Sequence, residues 1–88
     1  MNPFIRLHPA DDVVIARAQL VGGTTVEGVA VRGLIPAGHK VAVVPIGEGE
    51  VVLKYGEPIG VASRSIARGE HVHVQNLRSA RAGRSDVG

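Results

Sequence analysis

The chain has 88 residues, 44% hydrophobic and 20% charged, with a formal net charge of +2, four histidines and no cysteine. That length is one domain, which buries only about 60–65% of the surface its unfolded form exposes, so a second core is excluded. The lack of cysteine removes a disulfide framework and any Cys-based zinc or iron–sulfur site; no apolar run approaches the roughly 18–20 residues of a membrane span, and the start lacks the basic and apolar regions of a secretion signal. The expectation is a soluble cytoplasmic protein.

Val and Ile number 21 against five Leu, and 17 residues are Gly or Pro. Stiff β-branched side chains favour strands, and frequent Gly and Pro favour turns over long helices, which predicts a compact all-β domain. In chain order, strands are expected over residues 4–8, 13–18, 27–32, 40–44, 50–54, 59–62 and 71–75, with helix limited to single turns at 9–12 and before Gly69. The five prolines fall at strand ends, where a missing N–H costs no ladder bond. Residues 1–77 hold seven Lys/Arg and seven Asp/Glu, while three Arg and one Asp follow Leu77. The basicity therefore belongs to the tail 78–88, expected to be disordered, and the folded domain is expected over 1–77. With a neutral body and only Phe4 and Tyr55 as aromatics, a nucleic-acid footprint is not expected.

One pattern recurs four times: an apolar anchor, two residues, Gly, two residues, Val. Its copies are Leu20/Gly23/Val26, Ile35/Gly38/Val41, Ile46/Gly49/Val52 and Ile66/Gly69/Val72. Each reads as a buried anchor, a tight turn whose Gly takes positive φ, and entry into a strand. The spacings of 15, 11 and 20 residues are not a solenoid period, so the copies are repeated corners of one small β fold.

The sharpest chemical signal is His71-Val-His73-Val-Gln75. Residues two apart on a strand share a face, so His71, His73 and Gln75 point one way, with the imidazoles about 7 Å apart and able to ligate one metal; the bland alternative is two solvent-facing histidines on an edge strand. His39 and Lys40 follow the second corner glycine, where a His is either a ligand or catalytic group or an ordinary surface residue. Lys54 and Tyr55 place a cation and a phenol at a strand end; they suit a carboxylate, though an edge Lys also guards against aggregation. His8 reads as ordinary surface and Asp11 and Asp12 as turn formers. Val21-Gly-Gly-Thr-Thr lacks the Lys-Ser/Thr and helix of a phosphate loop, and no Gly-x-Ser-x-Gly or dinucleotide fingerprint occurs. So short a chain cannot enclose a deep pocket, so any catalysis needs another chain to complete the site.

Ile5-Arg-Leu-His-Pro-Ala-Asp-Asp-Val-Val, Ile35-Pro-Ala-Gly-His-Lys-Val, Lys54-Tyr-Gly-Glu-Pro-Ile-Gly and Ile66-Ala-Arg-Gly-Glu-His-Val-His-Val-Gln-Asn-Leu together resemble, in that order and over about residues 5–77, the SAF domain of the altronate and galactarate dehydratases. The resemblance implies a β-clip of short strands similar to the type III antifreeze protein. It implies a hydro-lyase acting on a sugar acid with a divalent metal such as iron, in which the SAF domain is fused to, or works as a small subunit beside, a large dehydratase subunit. The isolated length looks like the small subunit. In the implied reaction a base removes the C2 proton, an acid protonates the departing 3-hydroxyl, and a 2-keto-3-deoxy acid results. Carried over by motif position, His39, Lys40, Lys54 and Tyr55 are the expected catalytic residues, His71 and His73 the expected metal ligands, and Gln75 and Asn76 the expected substrate contacts.

Gln75 departs from the family pattern, which often has a third His at this place. Gln is a poor substitute for imidazole toward iron, so the metal is expected to lie mainly in the large subunit. The alternatives are the small subunit of sulfolactate sulfo-lyase, which eliminates sulfite instead of water, and a non-catalytic SAF binding module. An ice-binding or carbohydrate-binding face would need a flat Thr-rich surface, and Thr occurs only at 24 and 25. Open strand edges also allow the domain to pair with a copy of itself.

Overall fold

Four corners of one design, joined in pairs, make this fold. In the computed structural model, which describes residues 2–79, Gly23, Gly38, Gly49 and Gly69 have φ of 92°, 84°, 85° and 85°. Each is the third residue of a turn closed by an i+3 to i backbone bond: Thr24 to Val21, His39 to Pro36, Glu50 to Gly47 and Glu70 to Ala67, all at 3.0–3.1 Å. Positive φ at the third residue is what a type II turn demands, and only Gly takes it without strain. The anchors Leu20, Ile35, Ile46 and Ile66 are buried, as are Val26, Val41, Val52 and Val72. Leu20 bridges Ile35, and Ile46 bridges Ile66, each pair exchanging two backbone bonds of 2.7–2.9 Å.

Between the corners run nine strands: β1 (Phe4–Ile5), β2 (Val13–Ala16), β3 (Thr25–Val26), β4 (Val29–Ala30), β5 (Lys40–Ala42), β6 (Val51–Lys54), β7 (Glu57–Ala62), β8 (His71–Val72) and β9 (Leu77–Ser79). They form three antiparallel sheets, ordered β1-β2-β5-β8, β3-β4 and β6-β7-β9. Alternation along β2 and β5 sends neighbouring side chains to opposite sides. Val14 and Val41 join the first two corners and Phe4 in one hydrophobic cluster, while Val13 and Ala42 join the last two corners, Ile59 and Leu77 in another. A shared sheet thus divides two half-cores, each closed by one corner pair.

The all-β SAF-type fold stands as expected, with four local differences. The single-turn helices are absent among the described residues; residues 9–12 and the approach to Gly69 are turns whose backbone bonds go to distant strands, Asp12 N–H to Leu53 and Gly69 N–H to Ala42. The expected strand 27–32 is instead the end of a hairpin, β3 and β4, turning on Glu27 and Gly28 with φ of 50° and 76°, the signs of a two-residue type I′ loop. Pro58 lies inside β7, where the register with β6 slips by one and leaves Ile59 as the extra residue of a bulge. Strand β9 runs through Ser79, two residues past the expected domain end at 77, pairing Arg78 with Val61 and Ser79 with Gly60. The rest of the expected tail, 80–88, lies outside the described residues. Among the described residues, no helix is long and apolar enough to cross a membrane.

The corner glycines offer a controlled test. A Cβ at Gly38 meets nothing within 4 Å, whereas one at Gly69 would run into the Ala30 carbonyl. Gly38→Ala should therefore cost the conformational penalty alone, about 1–2 kcal/mol, and Gly69→Ala distinctly more, about 3 kcal/mol or above, in urea denaturation. Equal costs would show that the close approach at Gly69 relaxes freely.

Candidate functional site

Pairing of β5 with β8 sets Lys40 opposite Val72 and Val41 opposite His71, so the second corner ends beside the fourth. At the third and fourth corners a Glu follows the turn glycine and caps the turn's first N–H: Glu50 accepts from Gly47 at 2.7 Å and Glu70 from Ala67 at 2.9 Å. The second corner begins at Pro36, which has no N–H to cap. The equivalent side chain, His39, is thereby released from turn-making and faces the other histidines. Its Nδ1 lies 2.9 Å from Nε2 of His71. Ring centroids stand 5.1 Å apart for His39 and His71, 4.3 Å for His39 and His73, and 5.5 Å for His71 and His73. One nitrogen from each of the three rings lies within 4.8 Å of the others. The expected trio of histidines converges, although two distant segments supply it.

The route to that convergence differs from the simple strand expected over 71–75. Strand β8 stops at Val72, and the chain bends and turns through 73–76 before returning as β9. Asn76 makes the turn: its Oδ1 accepts from the His73 N–H at 3.0 Å, and its Nδ2 donates to the His71 carbonyl at 2.8 Å and to Glu70 Oε2 at 3.3 Å. Asn76 is fully buried. It braces the segment that carries His71 and His73. Gln75 reaches back to the same histidine, with Nε2 3.2 Å from His71 Nδ1 and 3.3 Å from the His71 carbonyl. An amide N–H donated to Nδ1 leaves the His71 proton on Nε2, directed at His39, and the contact to the His71 carbonyl suits the same amide orientation.

Lys40 and Lys54 share with His73 a shallow depression of ≈ 270 Å³, walled by Ile59, Val74, Leu77 and Ser79. Burial, and then the positive charge of Lys54, holds the Lys40 amine below its ordinary value. Burial also lowers His71, reinforced by His39, His73 and Lys40 and opposed by Glu70, while loss of solvation followed by His39 and Lys40 lowers His73. Tyr55 is 67% exposed at the β6–β7 turn and lines a neighbouring hollow of ≈ 460 Å³ with Lys54, Glu57 and Ile59, so it flanks the histidine cluster without joining it. His8 stays outside, its Nδ1 accepting from the Ala10 N–H. Three imidazoles beside two lysine amines suit a metal ion on one side and a carboxylate on the other. Asp11 and Asp12, read from the sequence as local turn formers, bond forward to the β6–β7 hairpin: Asp12 accepts from Leu53 N–H at 2.8 Å, and Asp11 from Tyr55 and Gly56 N–H at 2.7 Å each.

The lowered histidines carry a sign for acid stability. Above the unfolded-chain value of about 6.5 both are neutral in either state and their contribution is intact; as pH falls below it the unfolded chain binds protons first, and stability is lost through the depressed folded values. Thermal denaturation should hold a level midpoint above about pH 7 and a falling one below about 6.5, with the His71→Gln, His73→Gln double variant delaying the fall. A wild-type midpoint that rises on acidification through this window would contradict the assignment.

Among proteins of known activity, the chain is 42% identical over 80 residues to altronate dehydratase of Escherichia coli, covering 86% of this chain and 16% of that enzyme. It is 37% identical over 83 residues to the altronate dehydratase of Bacillus subtilis, covering 90% of this chain and 17% of that enzyme. Against the (2R)-sulfolactate sulfo-lyase subunit alpha of Chromohalobacter salexigens it is 36% identical over 87 residues, covering 85% of this chain and 93% of that subunit. The chain thus spans about a sixth of either altronate dehydratase and nearly all of the sulfo-lyase subunit. Residues 2–80 match the altronate/galactarate dehydratase SAF domain, and the chain belongs to that family.

Proposed function

We propose that this chain is the SAF component of a metal-dependent sugar-acid dehydratase of the altronate dehydratase type, whose larger catalytic component completes the site and whose product is a 2-keto-3-deoxy acid. The observation that carries this reading is the meeting of His39, His71 and His73 from two separate corners, with Lys40 and Lys54 at their side. Three imidazole nitrogens suit iron(II) or zinc, and bonds of about 2.0–2.1 Å to one ion place cis nitrogens about 3 Å apart. The His39–His71 pair already stands at 2.9 Å. The donor types suit a first-row divalent ion, and nitrogens that lie within 4.8 Å of one another would close in on it by small side-chain adjustments. With His39 beside His71 and His73, this chain would offer three imidazoles to an ion shared with the larger component. When bound, the ion would act as a Lewis acid toward the substrate carboxylate and its adjacent hydroxyl, acidifying the C2 proton.

The chain's own groups have distinct tasks in this scheme. Lys54 holds the carboxylate by a charge-assisted hydrogen bond. Lys40, lowered by burial and by Lys54, is the better candidate of the two lysines to exchange a proton with the substrate. Gln75 orients His71, and Tyr55 at the rim offers a phenolic hydrogen bond to a hydroxyl of the substrate. The proton leaves C2, the 3-hydroxyl leaves as water after protonation by an acid of the larger component, and the enol relaxes to the ketone. An open depression of ≈ 270 Å³ cannot bury a six-carbon acid, which is why a second component is part of the proposal.

A second reading is favoured by one observation, the 93% coverage of the sulfo-lyase alpha subunit. There the same proton abstraction would expel sulfite from the β-carbon, and the lysines would hold the sulfonate. Reconstitution with the larger dehydratase component from the same genome decides among these. Altronate, galactarate and sulfolactate are offered in turn, and one should be turned over only when both components are present. His39→Ala and His71→Ala should each lower kcat by about 100-fold or more. Turnover undiminished by both substitutions would make the domain a non-catalytic binding module.

A further inference from the structure

Lys54 sits on a turn that its own residues do not favour. Tyr55 and Gly56 both have positive φ, 61° and 75°, in a two-residue loop between Lys54 and its cross-strand partner Glu57. Such type I′ loops favour Asn, Asp or Gly at both central places, and Tyr in the left-handed region is strained. The turn is held from outside. Asp11, only 5% exposed, accepts both N–H groups of the strained residues, and Asp12 accepts the N–H of Leu53, so three of the four residues 53–56 are tied to one acidic pair. The pair is itself fixed: Arg6 donates to the carbonyls of His8, Pro9 and Asp11 at 2.9, 3.1 and 3.2 Å while its guanidinium is clamped by Glu27 at 2.7 Å. Gly56 in turn rests on the His8 ring, where a Cβ would come within 2.8 Å of Cδ2. Between the tethered residues, Lys54 is the one whose side chain enters the depression shared with His73 and Lys40.

We infer that Asp11 is a positioning residue for Lys54: by holding the strained Tyr55-Gly56 turn against the loop that precedes β2, it fixes the ammonium group at the mouth of the histidine cluster. The inference rests on the reading of Lys54 as a carboxylate contact in the proposed dehydratase. Its signature is dependence. With the turn released, Lys54 wanders, and removal of Lys54 then has nothing further to remove.

The test is a double-mutant cycle in the reconstituted two-component enzyme with altronate as the probe. Lys54→Ala should raise KM by about tenfold with a smaller change in kcat, Asp11→Asn should raise KM several-fold in the same pattern, and the double variant should match Lys54→Ala. Amide exchange in the Asp11→Asn chain should quicken at 53–57 and stay slow at Val41 and Val72. Multiplying effects in the double variant, or an unchanged KM while exchange at 53–57 has quickened, would overturn the inference and leave Asp11 a purely structural residue. If Lys54→Ala itself leaves KM unchanged, the inference falls with the reading of Lys54 beneath it, and the cycle shows that by the single variant alone. Should Asp11→Asn fail to fold, Asp11→Glu, which keeps the carboxylate but displaces it by one methylene from the Tyr55 and Gly56 N–H groups, completes the same cycle with the same two outcomes.

Discussion

The positive φ of four glycines is the constraint on which everything else here rests. A chain of this length has little apolar volume, and no described helix supplies any of it. It compensates by burying an anchor and a valine within seven residues at every corner, which is achievable only if the backbone reverses sharply between them. Pairing the corners through Leu20–Ile35 and Ile46–Ile66 then satisfies the backbone at the points where side chains are most deeply buried. Two half-cores result, one on each side of β2 and β5.

Repetition also explains where the chemistry sits. The third and fourth corners spend the side chain after the glycine on capping their own turn, through Glu50 and Glu70. The second has Pro36 at its start, has no N–H to cap, and presents His39 and Lys40 toward the fourth corner. One proline thus frees the side chain at this position from capping its turn. Because β5 and β8 lie side by side, the freed histidine meets His71 in a frame held by ladder bonds and by the buried Asn76.

Much of this was legible in the chain and some was not, for identifiable reasons. The corners were readable because anchor, glycine and valine keep their spacing, and the strands because β-branched residues fill the stretches between. The β3–β4 hairpin was hidden because Val26, Val29 and Val31 keep an apolar rhythm across the turn; Glu27-Gly28 was the available signal. The break after Val72 was hidden because period-two alternation continues through Gln75, while the cause is the side chain of Asn76. Both lysines and all three site histidines were identified individually. Their meeting was not readable from local pattern, since His39 and His71 lie 32 residues apart and touch only through sheet order. Asp11 and Asp12 show the same limit: they sit in a turn as read, but their carboxylates act on backbone 41 to 45 residues away.

The balance of charge around the cluster bears on what completes it. Residues 1–77 are formally neutral, yet Lys40 and Lys54 lie beside three imidazoles, and Lys40, His71 and His73 are lowered first by loss of solvation and then by their positive neighbours. Glu57, opposite Lys54 across the β6–β7 turn, forms no ion pair with it, and three other nearby acids are already engaged. Glu70 accepts from Ala67 and Asn76 and lies 3.7 Å from Arg64, while Asp11 and Asp12 are bound to the hairpin backbone. Among the described residues neither lysine has an ion-pair partner. Gathering like charges on one side of so small a domain is unfavourable in itself, and weaker if the imidazoles stay unprotonated. Unprotonated imidazoles are ligands, and unpaired ammonium groups attract carboxylates. In the proposed reading, the carboxylate of a bound hydroxy acid would offset the charge that the two lysines gather beside the histidines.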